Sequence, residues 1–123
     1  MKIKPQYKVI YSKETLDFLA SITEEAKEKI AFNVDKVTHG VKDNEIFKKL
    51  DGTDDLWEFR TLYNRIKYRL LAFWDTDERA LIITTHGFIK KTQKTPKKEI
   101  ERAEEIKKKY YEKKLADSKA KKG

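Results

Sequence analysis

Four residues could carry chemistry in this chain: Arg60, Arg69, His86 and Lys90. A guanidinium stays charged at any biological pH, and its planar fork can meet two phosphate oxygens at once. An imidazole titrates nearest neutrality and can take or give a proton. A lysine among other cations is pushed toward the neutral amine, the form that acts as a base. Together these groups suit a phosphodiester. RNA supplies its own nucleophile, the 2′-hydroxyl, so a catalyst needs only alignment, a base, an acid and positive charge on the phosphorane. Each residue also has a plainer account. Arg60 and Arg69 can pair with Glu58 or lie on an ordinary exposed sheet face. His86 can be a hydrogen-bonded sheet histidine, and Lys90 can be merely solvated.

Other chemistries are disfavoured. The chain has no cysteine, which removes disulfides and thiolate metal sites. His39 and His86 show no metal-ligand spacing, and His39 beside Gly40 reads as a histidine at a helix C-terminus. There is no phosphate-binding glycine loop, no nucleophile elbow and no pair of catalytic carboxylates. The expectation is therefore a protein with no metal and no cofactor. The longest apolar run, Leu70-Leu71-Ala72-Phe73-Trp74, is far too short to span a membrane, and the first residues lack the apolar core of a signal peptide. A soluble, cytoplasmic protein without a membrane partner is expected.

The charge is unevenly placed. Residues 1–89 hold 15 basic and 15 acidic side chains, whereas residues 90–123 hold 14 and 6, so the whole surplus of +8 lies in the last part of the chain. A neutral body followed by a basic segment points to a polyanion partner or to a solvated Lys/Glu helix. Lys91, Lys94, Lys97 and Lys98 stand at the entry to that segment and can bind phosphates as point charges. Phe73 and Phe88 are candidate aromatic contacts beside them.

The elements that must position these groups form one domain over residues 1–115, followed by a basic tail, 116–123, expected to be disordered. Tyr7 to Tyr11 reads as a strand. Ser12 and Thr23 are N-caps of two helices, the second carrying Ala26, Ile30, Val34, Val37 and Val41 on one face and stopping at Gly40. Residues 42–55 are a connector, with a turn of helix expected at Ile46 to Leu50. Leu56 to Leu62, Ile66 to Trp74 and Ala80 to Phe88 read as three strands of an antiparallel meander. Alternation puts Glu58, Arg60 and Leu62 on one face, as it does Lys67, Arg69, Leu71 and Phe73, and likewise Thr84, His86 and Phe88. If these faces coincide, Arg60, Arg69 and His86 converge beside Phe73 and Phe88. Arg69 then faces an open groove, while Tyr68, Leu70 and Ala72 face the helices. Thr95 is the expected cap of a last helix, with Pro96 at its first position and Ile100, Ala103, Ile106 and Tyr110 as its apolar stripe. The order is β-α-α-β-β-β-α, an α+β fold.

Leu56-Trp-Glu-Phe-Arg60, Tyr68-Arg69-Leu-Leu-Ala-Phe73, His86-Gly-Phe-Ile-Lys-Lys91 and Lys94-Thr-Pro96, followed by Glu99-Ile100 and Ala103, resemble the RelE/HigB toxin superfamily and, within it, the phage-derived HigB-like branch. The resemblance covers roughly residues 5–112. It implies a RelE-like fold and a toxin of a type II toxin–antitoxin system, neutralised by a cognate antitoxin that in this branch is usually a helix-turn-helix protein. It implies ribosome-dependent cleavage of mRNA, with ribosome and mRNA as partners. Arg60 and Arg69 match the family's strand arginines, and Lys90 and Lys91 match the Lys-Lys that follows His-Gly-Phe. The C-terminal tyrosine that helps catalysis in RelE-like members has no match, and Tyr110 lies on a long basic helix instead. Two further readings stay open: a ParE-type toxin that binds and inhibits DNA gyrase, and a degenerate member that only binds its antitoxin and operator DNA.

Overall fold

The computed structural model describes residues 4–121. Its elements are β1 (Lys8–Ile10), α1 (Lys13–Ala20), α2 (Glu24–Thr38), β2 (Phe47–Lys49), β3 (Trp57–Tyr63), β4 (Ile66–Trp74), β5 (Leu81–Lys90) and α3 (Lys97–Lys121). The strands form one sheet in the order β1-β5-β4-β3-β2. Among the described residues only β1 runs parallel to its neighbour; the short connections from β2 onward give antiparallel pairs.

Local chemistry explains the helix starts. Ser12 Oγ accepts from Thr15 N at 3.0 Å, and Thr23 Oγ1 accepts from Ala26 N at 3.2 Å, each satisfying a first-turn N–H. Helices α1 and α2 cover one face of the sheet. Leu19, Ala26, Ile30, Val34 and Val37 pack there on Phe59, Tyr68, Leu70, Ala72 and Ile82. Tyr68, Leu70 and Ala72 thus face the helices, as alternation requires. Helix α3 covers part of the other face, setting Ala103, with Ile100, Tyr110 and Tyr111, against Leu56, Leu71, Phe73, Leu81, Ile83 and Phe88.

Three details depart from the sequence reading. The turn of helix expected at Ile46 to Leu50 falls earlier, where Phe47 N bonds Asp43 O at 3.0 Å, and Phe47–Lys49 then forms an extra strand. Phe47 drives this by stacking on Phe59 at 4.4 Å and Trp57 at 4.9 Å. Helix α3 starts one residue past Pro96, whose carbonyl accepts from Glu99 N and Ile100 N; Thr95 spends its hydroxyl elsewhere. The helix also continues past residue 115 to Lys121, where a disordered tail was expected. No Gly or Pro interrupts that stretch, and Leu115, Ala116, Lys119 and Ala120 are strong helix formers. The rest of the expected tail, residues 122 and 123, lies outside the described residues.

Strands β4 and β5 carry a bulge. Leu71 pairs with His86 and Ala72 with Thr84, leaving Thr85 as the extra residue. Alternation therefore breaks, and Thr84 leaves the face of His86 and Phe88. Its hydroxyl donates to Ile10 O at 3.1 Å and accepts from Ser12 N at 3.2 Å.

Candidate active site

Arg60 on β3 and Arg69 on β4 are direct cross-strand partners. Like charges so placed repel, and Glu58, two residues along the same face, supplies the compensation. Its Oε1 lies 3.2 Å from Arg69 Nε and 3.5 Å from Arg60 Nε. Its Oε2 accepts from Thr95 Oγ1 at 2.6 Å. The contact to the arginines is coulombic, since neither Nε–H is aligned on an acceptor. Arg69 Nη1 instead donates to Tyr68 O at 3.0 Å, and Arg60 Nη1 to Asn44 O at 3.3 Å. Glu58 is 2% exposed and Arg69 5%, so Arg69 does not lie in an open groove as alternation alone suggested. Burial pulls the Arg69 pKa down; Glu58 opposes that shift and Arg60 adds to it.

Beside this trio lies a cleft of about 430 Å³, walled by β2, β3, the end of β5 and the segment 93–95. Lys48, Lys49, Arg60, Lys90 and Lys94 line it, five cations against the carboxylates of Asp51 and Glu58. Arg60 reaches it with a side chain 30% exposed. Lys90 is half-buried there, and burial lowers its pKa; Glu58 resists, while Arg69, Arg60 and Lys67 lower it further. Both burial and the neighbouring cations thus ease loss of the Lys90 proton. Lys48 and Lys49 were not picked out in the sequence. The short strand that brings Lys48 opposite Glu58 was not foreseen, so neither lysine could be placed beside the arginines.

His86, Phe73 and Phe88 share the face of Arg60 and Arg69, as predicted, but not the cleft. Helix α3 covers them. His86 is fully buried, with Nε2 3.3 Å from Glu99 Oε1 and Nδ1 3.2 Å from Thr85 Oγ1. Burial pulls its pKa down and Arg102 adds to this, against the attraction of Glu99, so the neutral imidazole is favoured. Phe73 is sealed under Tyr110 and Tyr111, with ring centroids 5.3 and 5.7 Å away, and Phe88 stacks near His86 at 5.9 Å. None of the three presents its ring to solvent. Lys91, Lys94, Lys97 and Lys98 are all exposed.

Asp75, at the end of β4, fixes the far part of α3. Lys114 Nζ reaches both its carboxylate oxygens at 2.8 and 2.9 Å, and Tyr110 donates its hydroxyl to Oδ2. The N–H groups of Asp77 and Glu78 bond Oδ1 at 2.7 and 2.8 Å. Burial raises the Asp75 pKa, but Lys114, Tyr110 and the two N–H groups outweigh it and hold the carboxyl well below the usual range. Burial, then the Asp75 hydrogen bond, pushes the Tyr110 phenol up to about 12. Tyr110 is a structural anchor. Among the described residues no three His, Asp or Glu side chains gather to hold a metal ion, and no helix is long and apolar enough to cross a membrane.

A family model described as phage-derived protein Gp49-like matches residues 17–108. In structure the chain is similar to a double mutant of the E. coli toxin RelE in the free state. The two share 16% sequence identity and a TM-score of 0.52, over 67% of this chain and 81% of that one. That likeness shows the α+β fold to be RelE-like. No curated protein matches the chain.

Proposed function

Since this chain belongs to the phage-derived Gp49-like family, we propose that it is the toxin of a toxin–antitoxin pair, acting as an endoribonuclease on ribosome-bound mRNA. The observation that carries the reading is the cleft, where four lysines gather round Arg60, the outer member of an arginine pair anchored by Glu58, on a RelE-like fold. In this reading the scissile phosphate enters the cleft and meets Arg60, the arginine that reaches solvent. Lys90, its ammonium destabilised by burial and neighbouring cations, takes the proton from the 2′-hydroxyl; the 2′-oxygen bonds to phosphorus, the P–O5′ bond breaks to leave a 2′,3′-cyclic phosphate, and the departing 5′-oxygen takes a proton from water. Arg69 acts from behind, adding positive potential where charge grows on the phosphorane. Lys48, Lys49, Lys94, Lys97 and Lys98 hold flanking backbone. The fully buried His86 has no part in proton transfer. A cognate antitoxin, of helix-turn-helix type in this branch, covers the cationic face.

Burial of His86 also favours a second reading, since it leaves fewer free acid–base groups. The cationic face would then bind DNA gyrase without cleaving anything. Cleavage by the parent, compared with Lys90→Gln, separates the two. General-base catalysis is worth about 10²–10⁴-fold, so the folded variant should cut mRNA on programmed ribosomes at least about a hundredfold more slowly, with cut sites mapped by primer extension. Parental protein that leaves the mRNA intact and blocks gyrase supercoiling would establish the gyrase reading instead.

A further inference from the structure

A second cationic cleft, of about 460 Å³, lies at the tip of the β3–β4 hairpin and is lined by Arg65, Lys67, Lys90 and Lys91 with no carboxylate. Two features show that it is kept at a cost. Asn64 and Arg65 form the two-residue turn between Tyr63 and Ile66, with φ of 52° and 65°. Glycine takes this left-handed conformation freely, whereas a long side chain is strained there. Position 65 carries arginine all the same, and the side chain is exposed at the cleft. The other feature is that Lys67 and Lys90 sit directly opposite each other on β4 and β5, a repulsive pairing. Among the described residues none of the four lining cations forms an ion pair. Backbone strain of this kind clusters at active sites and ligand clamps.

Lys90 and Gln93 line both this cleft and the one beside the arginines, so the two adjoin. We infer that the hairpin cleft is a second backbone subsite, taking phosphodiesters of the same single-stranded RNA that flank the one held beside Arg60. The inference rests on the ribonuclease reading and extends it from a point to a track. Exposed Ile66 and Ile89 in this cleft offer apolar surface to a base or ribose.

Salt dependence of RNA binding tests this. Each phosphate contact to a single strand contributes about 0.7 to the slope of log affinity against log salt. Arg65→Gly should keep or raise the melting temperature, since glycine suits the turn, and should lower the slope by about 0.7 on an RNA long enough to span both clefts. Lys91→Gln, which leaves the turn untouched, should do the same. On an RNA too short to leave the first cleft, both variants should bind like the parent. Lys27→Gln, on the exposed face of α2, is the control and should leave the slope unchanged. Parental slopes on the long RNA for both variants would overturn the inference while leaving the ribonuclease reading intact. An equal fall in the control would also overturn it, reducing the effect to net charge. No binding of the long RNA by the parent would overturn the inference alone, because the ribonuclease reading needs only mRNA held on the ribosome.

Discussion

Arg69→Ala should destabilise the protein strongly, and the structure sets how strongly. The side chains of Glu58 and Arg69 are 3% and 6% exposed and lie 3.2 Å apart. Removing one member of a buried ion pair typically costs about 3–5 kcal/mol, because the other charge is left without compensation. Here Glu58 would retain the Thr95 hydroxyl at 2.6 Å and Arg60 at 3.5 Å. The loss of repulsion between the two arginines offsets a little more. The low end therefore applies, about 3 kcal/mol, or roughly a hundredfold in the folding equilibrium. For a chain of this size that is a fall of about 12 °C in melting temperature. Urea unfolding of four proteins measures it: parent, Arg69→Ala, Glu58→Gln and the double variant. The double variant should recover part of the loss, giving a coupling of at least about 1 kcal/mol, since removing the stranded charge removes its penalty. An Arg69→Ala protein within about 0.5 kcal/mol of the parent would refute the argument, because Glu58 would then be screened by solvent and Arg69 effectively a surface residue.

Two more outcomes follow from the packing. The Asp75 carboxyl is depressed in the folded state, so below the unfolded value near 3.9 the unfolded chain binds the proton first; stability fully present above about pH 4 is lost progressively as pH falls toward the folded value, and the gap between thermal melts of the parent and Asp75→Asn should narrow steadily below about pH 4, a constant gap counting against the anchor. Gly87→Ala should cost about 1–3 kcal/mol by urea unfolding, since an added Cβ would lie 2.2 Å from a Phe18 ring carbon and 2.8 Å from Leu70 Cδ2; a neutral result would mean that Phe18 swings aside freely.

Periodicity carried the fold because the strands obey it. Tyr68, Leu70 and Ala72 on one side of β4, and Arg69, Leu71 and Phe73 on the other, follow from alternation alone. It failed at Thr84, where the bulge inserts one residue and no local signal announces the slip. Strand β2 was missed because it is three residues long and owes its existence to the stacking of Phe47, a tertiary effect. The candidate site was legible as a set of same-face residues, and Glu58 was visible as the arginines' partner. What alternation cannot encode is burial. Nothing in the spacing of Arg60 and Arg69 says that one reaches solvent and the other does not.

That distinction is made by where α3 begins. One sheet face carries Glu58, Arg60, Arg69 and Lys90 together with Leu71, Phe73, His86 and Phe88, and a helix laid across all of it would leave no site. Pro96 has no N–H to donate, and α3 starts just after it, at Lys97. The Thr95 hydroxyl, not needed as a cap, ties the residue before Pro96 to Glu58. From there the helix runs over His86, through Glu99, and over Phe73, through Tyr110 and Tyr111, until Lys114 locks it to Asp75. The apolar part of the face is sealed and the cationic part stays open. Thr95-Pro96 therefore decides which of the sequence's candidates reach solvent: Arg60 and Lys90 do, whereas His86, Phe73 and Phe88 are held as core.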